Sequence, residues 1–329
     1  MYPLHARLVP VVATAGLLVS ACTSSPLDPE SREPSVVSQY ACGQLHIRVT
    51  DDPDRGLLGI DYRDKRLLLK PDNSASRETF VAPGDTTTRF RRQGEQAELT
   101  IRGETFPECL PPGALERPFT ARGSDPIWQA HVSSAELVLS PPYEDQQSLR
   151  LPSELVTANR HGREFVAEAS GTRATLTVAN QLCQDPVTGA QYPNQVRLTI
   201  NGQSYQGCGG NPLRLIRGAE WVVDDLAAEG IIDRSRLTLR FMDDNRIAGQ
   251  ASCNRYTGRY QLTDEGGIDV SELATTRMAC APALMAQEAR FIEALERASR
   301  VRIGPHGELL LLTSEAGLLS AFQSDHDTL

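Results

Sequence analysis

Seven cysteines, at positions 22, 42, 109, 183, 208, 253 and 280, constrain this chain more than any other residue type, because an odd number leaves at least one without an intramolecular partner. Cys22 stands apart from the rest. It follows a mostly apolar stretch from Leu8 to Val19, which is preceded by His5 and Arg7 and trailed by the small residues Ser20 and Ala21. That is the charge, length and small-residue pattern of a secretory signal peptide over residues 1–21. The stretch is short of the roughly 20 apolar residues that span a bilayer, and Pro10 and Gly16 weaken a helical span further. Export makes disulfides the expected state of the other six cysteines. Six cysteines allow about 15 connectivities, so the pairing stays open. Their order suggests Cys42 with Cys109, Cys183 with Cys208 and Cys253 with Cys280, as one bridge per domain would produce. No CxxC or His-rich spacing supports a metal instead, and neither metal nor cofactor is expected.

Strand-like alternation fills most of the remaining chain. In GQLHIRVT, Leu45, Ile47 and Val49 fall on one face and His46, Arg48 and Thr50 on the other. RLLLK, ETFVA and QAELTIRG follow at short intervals, which predicts a small antiparallel sheet or barrel over residues 39–112. Residues 117–217 repeat the pattern in AELVLS, REFVAE and ATLTVA. There VRLTINGQSYQG reads as a hairpin turning at Asn201-Gly202, a type I′ signal.

Residues 218–325 open on EWVVDDL and a hairpin bending at Asp244-Asn245. A helix then starts after Pro282, with Leu284, Glu288, Phe291, Ile292 and Leu295 at helical spacing. Strands follow it. The expected fold is therefore mainly β with a C-terminal α+β unit: a small antiparallel β-barrel, a second β-rich domain and a mixed domain. Residues 22–38, rich in Ser, Pro and charge, read as a flexible tether.

The formal charge of −9 argues against a nucleic-acid partner and permits a basic one. No HExxH, GxSxG or phosphate loop occurs. The acid pairs Asp51-Asp52, Asp224-Asp225 and Asp243-Asp244 lie in or beside expected turns, and neighbouring residues on a strand point to opposite faces, which makes them poor catalytic pairs. A protein that binds rather than catalyses is expected. The alternative is an enzyme acting on cell-wall glycan or peptide.

Four stretches also resemble known families. Val19-Ser20-Ala21-Cys22 resembles the bacterial lipobox, which implies cleavage before Cys22 and acylation of its thiol. At about 0.8 kcal/mol per buried methylene, two or three chains would hold the body at a bilayer. Thr23, rather than Asp, after the cysteine implies the outer membrane, facing the periplasm. Tyr40-Ala41-Cys42, Gln93-Gly94-Glu95-Gln96-Ala97-Glu98-Leu99 and Cys109 resemble the membrane-bound C-type lysozyme inhibitor domain, a small barrel closed by one disulfide. It implies an inhibitor surface at Gly84, Asp85, Arg91, Arg92 and Gln93, and C-type lysozyme or another envelope protein as partner. The family's Ser-Gly-x-x-Tyr loop is replaced here by Ala82-Pro83-Gly84-Asp85-Thr86, and its lysine by Gln93.

Gly123-Ser124-Asp125-Pro126-Ile127-Trp128, Cys183-Gln184-Asp185, Tyr192-Pro193 and Gly207-Cys208-Gly209-Gly210 resemble a periplasmic lipoprotein domain of no assigned activity. Cys253-Asn254-Arg255-Tyr256-Thr257-Gly258, with Trp221 and Thr275-Thr276-Arg277-Met278-Ala279-Cys280, resembles the META or HslJ-like domain, which implies a role in envelope stress tolerance. Asn254 is expected to close a turn after its cysteine.

Overall fold

The computed structural model describes residues 36–72, 78–133, 135–142, 147–263, 265–313 and 316–324. The signal peptide, Cys22 and nearly all of the tether lie outside them. Among the described residues, no helix is long and apolar enough to cross a membrane.

The first sheet comprises β1 (Val37–Cys42), β2 (Leu45–Asp52), β3 (Leu57–Tyr62), β4 (Lys65–Pro71), β5 (Thr79–Ala82), β6 (Asp85–Gln93), β7 (Gln96–Ile101), β8 (Glu104–Thr105) and β9 (Cys109–Leu110). It runs β6-β5-β4-β3-β2-β1-β9-β7 and closes by pairing β6 with β7, leaving β8 attached to β7. Closure removes the free edges that would otherwise invite other strands. The alternation in β2 is as expected: Leu45, Ile47 and Val49 are buried, while His46 and Arg48 are exposed. Cys42 and Cys109 are register partners of β1 and β9, and their disulfide ties the first strand to the last at a Cα separation of 4.0 Å.

The second sheet comprises β10 (Phe119–Ser124), β11 (Ile127–Val132), β12 (Glu136–Ser140), β13 (Leu149–Asn159), β14 (Gly162–Ala169), β15 (Thr172–Ala179), a two-stranded flap of β16 (Cys183–Gln184) and β17 (Gln191–Tyr192), then β18 (Asn194–Ile200) and β19 (Gln203–Gly209). All but the flap form a closed barrel of eight strands. Asn201 and Gly202 take φ of 48° and 89° between β18 and β19, the left-handed pair that a type I′ turn requires. Trp128 fills one end of this core. Its indole Nε1 donates to Gln206 O at 3.1 Å, and the ring lies where any Cβ on Gly123 or Gly207 would collide with it. The glycines of the Gly123-to-Trp128 stretch and of Gly207-Cys208 thus make room for one side chain. The Cys183–Cys208 disulfide fastens the flap to β19.

The third sheet comprises β20 (Trp221–Leu226), β21 (Thr238–Phe241), β22 (Arg246–Ala251), β23 (Asn254–Leu262), β24 (Ile268–Thr275), β25 (Arg300–Ile303), β26 (Leu309–Leu312) and β27 (Gly317–Gln323), with α1 (Pro282–Arg297) preceding β25. Its order is β24-β23-β22-β21-β20-β27-β26-β25, an open half-barrel. Phe291 and Leu295 of α1 are fully buried in its core, and Phe291 meets Tyr256 edge to face with centroids 5.5 Å apart. The buried stripe differs from the sequence expectation at Gln287, a polar residue that is 0% exposed. Its carbonyl accepts from Ile232 N at 2.7 Å, and its amide donates to Ser235 Oγ and Ser252 Oγ at 2.8 and 2.7 Å. Satisfied in this way, a buried amide carries little desolvation penalty. Cys253 bonds to Cys280 just ahead of the helix.

Candidate functional site

The five residues expected to form an inhibitor surface lie at the two ends of β6. Gly84 and Asp85 form the tip between β5 and β6. There the Asp85 carboxylate accepts from Thr87 N, Thr87 Oγ1 and Thr88 Oγ1 at 2.9, 2.5 and 2.6 Å. The Thr87 and Thr88 hydroxyls and the Thr87 N–H hold it below the ordinary value of 3.8. Arg91, Arg92 and Gln93 sit at the far end, about 20–26 Å away at ~3.3 Å per residue. Arg91 pairs outward with Glu98 at 2.7 Å. Arg92 points to the opposite face, where it holds Asp51 through two hydrogen bonds of 3.1 and 2.8 Å and lies over the rings of Phe80 and Phe90. The structure therefore does not gather the turn and the cations into one cluster.

A different convergence occurs where the three sheets meet. Arg214, on the short turn Pro212–Leu215, donates to Glu108 O at 2.7 Å and to Ala41 O at 2.9 Å. Those are the carbonyls just before Cys109 and Cys42, so the guanidinium grips the first barrel at its disulfide. In return Gln44 Nε2 donates to Arg214 O at 2.9 Å and Gln44 N to Arg217 O at 2.8 Å. The backbones touch here: a Cβ on Gly43 would strike Arg217 O, and one on Gly218 would strike Cys42 O.

Arg63 adds a hydrogen bond to Gly218 O at 3.0 Å. The second barrel docks through Gln191, whose amide donates to Ile303 O at 3.0 Å and accepts from Ile303 N at 2.7 Å. One side chain thereby satisfies the free edge of β25 as a neighbouring strand would. Glu95 joins the two barrels by pairing with Arg117 at 2.9 Å and Arg163 at 3.1 Å.

Two clefts of about 610 Å³ each open at this junction. The first is bounded by all three sheets, and Glu108 and Glu116 line it together with Arg122, Tyr192 and Asn211. Burial raises both carboxyls above the ordinary 4.5, against the pull of nearby Arg214. Neither glutamate has an ion-pair partner within 4.0 Å among the described residues. The second cleft lies between the barrels. His46, Arg48, Asp61 and Arg63 form one wall, residues 110–116 the floor, and Asn180, Pro193 and Asn194 the other wall.

Neither cleft was legible as a site in the sequence, because its walls come from segments more than 100 residues apart, Arg48 and Asn180 among them. The one available signal was the polar face His46-x-Arg48. Asn254, expected to close a turn after its cysteine, instead bridges through its side chain to residues 22 to 34 positions further along the chain. Its Oδ1 accepts from Thr276 Oγ1 and Met278 N, both at 2.8 Å, and its amide donates to Glu288 Oε1 at 3.1 Å, which fixes the segment before α1. Among the described residues no group of three or more His, Cys, Asp or Glu is placed to hold a metal.

Arg214, the residue that grips the first barrel, is also where a family match begins. Residues 214–326 match the META domain. The META domain thus includes the turn bearing Arg214, ahead of Gly218. An NMR structure of a protein is similar at 25% identity, covering 36% of this chain and 99% of that one, with a TM-score of 0.30. An NMR structure of a protein from Burkholderia xenovorans is similar at 24% identity, covering 34% of this chain and 86% of that one, with a TM-score of 0.29. No curated protein matches the chain.

Proposed function

We propose that this protein is a lipid-anchored envelope protein, held at the outer membrane by acylated Cys22 and facing the periplasm, that works by binding rather than catalysis. The observation that carries this reading is the placement of one disulfide in each of the three sheets. Such bridges form and persist in oxidising compartments outside the cytoplasm. The META domain at residues 214–326 supports an envelope or stress-related role. Within this reading the first barrel takes C-type lysozyme, or another envelope protein, at one end of β6. The tip bearing Asp85 is the better contact, since it is open around Gly84 and Arg92 is engaged by Asp51.

The test has two arms. Palmitate labelling and membrane fractionation of the full chain against Cys22→Ser should show label and membrane retention in the first only; a labelled or retained Cys22→Ser protein sinks the anchor. Titration of the Cys22→Ser chain into C-type lysozyme should show saturable inhibition of lysis. Lysis unchanged at about 100 μM, a weak affinity for a specific complex, sinks lysozyme as partner.

One observation favours a second reading, an enzyme acting on wall glycan or peptide: Glu108 and Glu116, both with raised pKa, line the same cleft. Paired carboxyls are the machinery of glycoside hydrolysis. Release of soluble fragments from purified cell wall, abolished in Glu108→Gln or Glu116→Gln, would establish it, and no release would remove it.

A further inference from the structure

The cleft between the barrels has a cationic wall that neither the inhibitor resemblance nor the META match accounts for. Strand register builds it. On the outer face of the first barrel, Gln39 stands opposite Arg48, Arg48 opposite Asp61, and Asp61 opposite Arg66, with His46 opposite Ala41 one step along. Asp61 lies 3.7 Å from Arg66. Arg48, by contrast, has no hydrogen bond or ion pair among the described residues, in a chain whose formal charge is −9. An unpaired guanidinium beside a cleft in an acidic protein is a ready anion site.

Arg63 enters the cleft from the tip between β3 and β4 with φ of 48°. That left-handed conformation is unfavourable for a residue with a side chain, so a glycine or asparagine would serve the turn better. What arginine adds is its side chain, of whose five N–H donors one holds Gly218 O.

The rest of the lining narrows the anion. Asn180 presents an exposed amide, and Leu110, Pro111, Pro112 and Leu115 an apolar floor. Glu116 and Arg214 also border this cleft and offset one another. With Asp61 beside Arg66 and Arg63 holding Gly218 O, Arg48 is the lining cation left without a partner among the described residues. That suits a single carboxylate, which a guanidinium fork matches with two parallel hydrogen bonds; a polyanion would need more cations. Side-chain amides complement peptide groups, and the volume falls within the roughly 300–1,000 Å³ of small-ligand sites.

We propose that this cleft binds a short peptide by its terminal carboxylate, with Arg48 as the anchoring cation and Arg63 beside it. The site is independent of whether β6 takes lysozyme.

Calorimetric titration of the full chain carrying Cys22→Ser tests this, with N-acetyl-Ala-Ala-Ala as the free acid, its C-terminal amide, and inorganic phosphate. The acid should bind with Kd of about 1 mM or below, and the amide about tenfold more weakly or worse. Arg48→Gln should lose about tenfold in affinity for the acid with an unchanged thermal midpoint, since Arg48 is exposed. Arg48→Lys, which keeps the charge but loses the fork, should fall between. Phosphate should not compete. No binding of the acid, equal binding of acid and amide, or an Arg48→Gln protein that binds as well as the parent overturns the proposal. So does phosphate competing with the acid at equal concentration, which would make the site a general anion pocket.

Discussion

Two basic stretches on the first barrel look alike in sequence and differ in what the fold does with them. Arg91 and Arg92 on β6 are both engaged, one by Glu98 and the other by Asp51 with two aromatic rings beneath it. His46 and Arg48 on β2 have no side-chain partner among the described residues, yet they form the wall of a cleft, because the second barrel is held opposite them. A cation on a closed barrel therefore becomes available for a ligand only where its register neighbours leave it unneutralised and another body supplies the facing wall. The first condition is local. The second depends on the junction at Arg214.

The largest effect expected from breaking this comparison is accordingly at that junction. Arg214→Ala removes the two hydrogen bonds that a charged donor gives to the Ala41 and Glu108 carbonyls. Contributions of about 1.5–3 kcal/mol for each such bond are not additive, and a loss of about 2–4 kcal/mol in denaturant-induced unfolding is expected. The connection at residues 111–118 should become cleavable by protease and the inter-barrel cleft should lose its ligand. Unchanged stability and unchanged proteolysis would mean that the three sheets hold together without this residue.

Arg92→Ala comes next. It removes the two-bonded contact with Asp51 and the cover over Phe80 and Phe90, for a combined cost of about 1–2 kcal/mol. Chemical denaturation checks it, and a loss below about 0.5 kcal/mol, the size of a surface substitution, would place Arg92 among the solvated residues.

This contrast also marks how far the sequence could be read. The alternation in β2, the Asn201-Gly202 turn and the helix after Pro282 were legible because each follows from side-chain period or backbone chemistry within a few residues. Strands β3, β10, β11 and β13 were not singled out. β3 carries Gly59 beneath the Arg66 guanidinium, and β13 carries Pro152 where its pairing with β12 ends; both residues usually weaken a strand assignment. The expected inhibitor surface followed chain order along a strand whose ends are far apart in space. The clefts were hidden for the opposite reason, since no local pattern records that Arg214 reaches Ala41.

Glu108 and Glu116 test the junction through pH. A raised carboxyl pKa means that the folded protein binds protons more tightly than the unfolded chain. Stability from these two groups is fully present below the ordinary 4.5 and is lost as pH rises through their raised values. Asp85 and Asp185 act in the opposite sense, since their lowered values give stability that is present above 3.8 and lost as pH falls below it. Unfolding followed against pH should therefore show greatest stability on the acid side of neutrality. Glu108→Gln combined with Glu116→Gln should flatten the decline above 4.5 and leave the acid limb alone. A decline unchanged in the double variant would show that other groups govern it.

The smallest effects separate the two arginine faces most sharply. Arg91→Ala breaks an exposed pair with Glu98, for which about 0.2–1 kcal/mol is typical. Arg48→Ala removes an exposed cation with no ion pair among the described residues, so its effect on stability should be within about 0.5 kcal/mol of zero, and Asp61 keeps Arg66 as neighbour. Peptide binding should reverse the order, with Arg91→Ala silent and Arg48→Ala strongly impaired. Such a crossing cannot come from general damage to the barrel, because the variant that loses more stability would be the one that keeps its ligand. If both variants bind alike, the pairing of Arg91 and the freedom of Arg48 have no functional consequence, and the two faces are equivalent solvated surfaces after all.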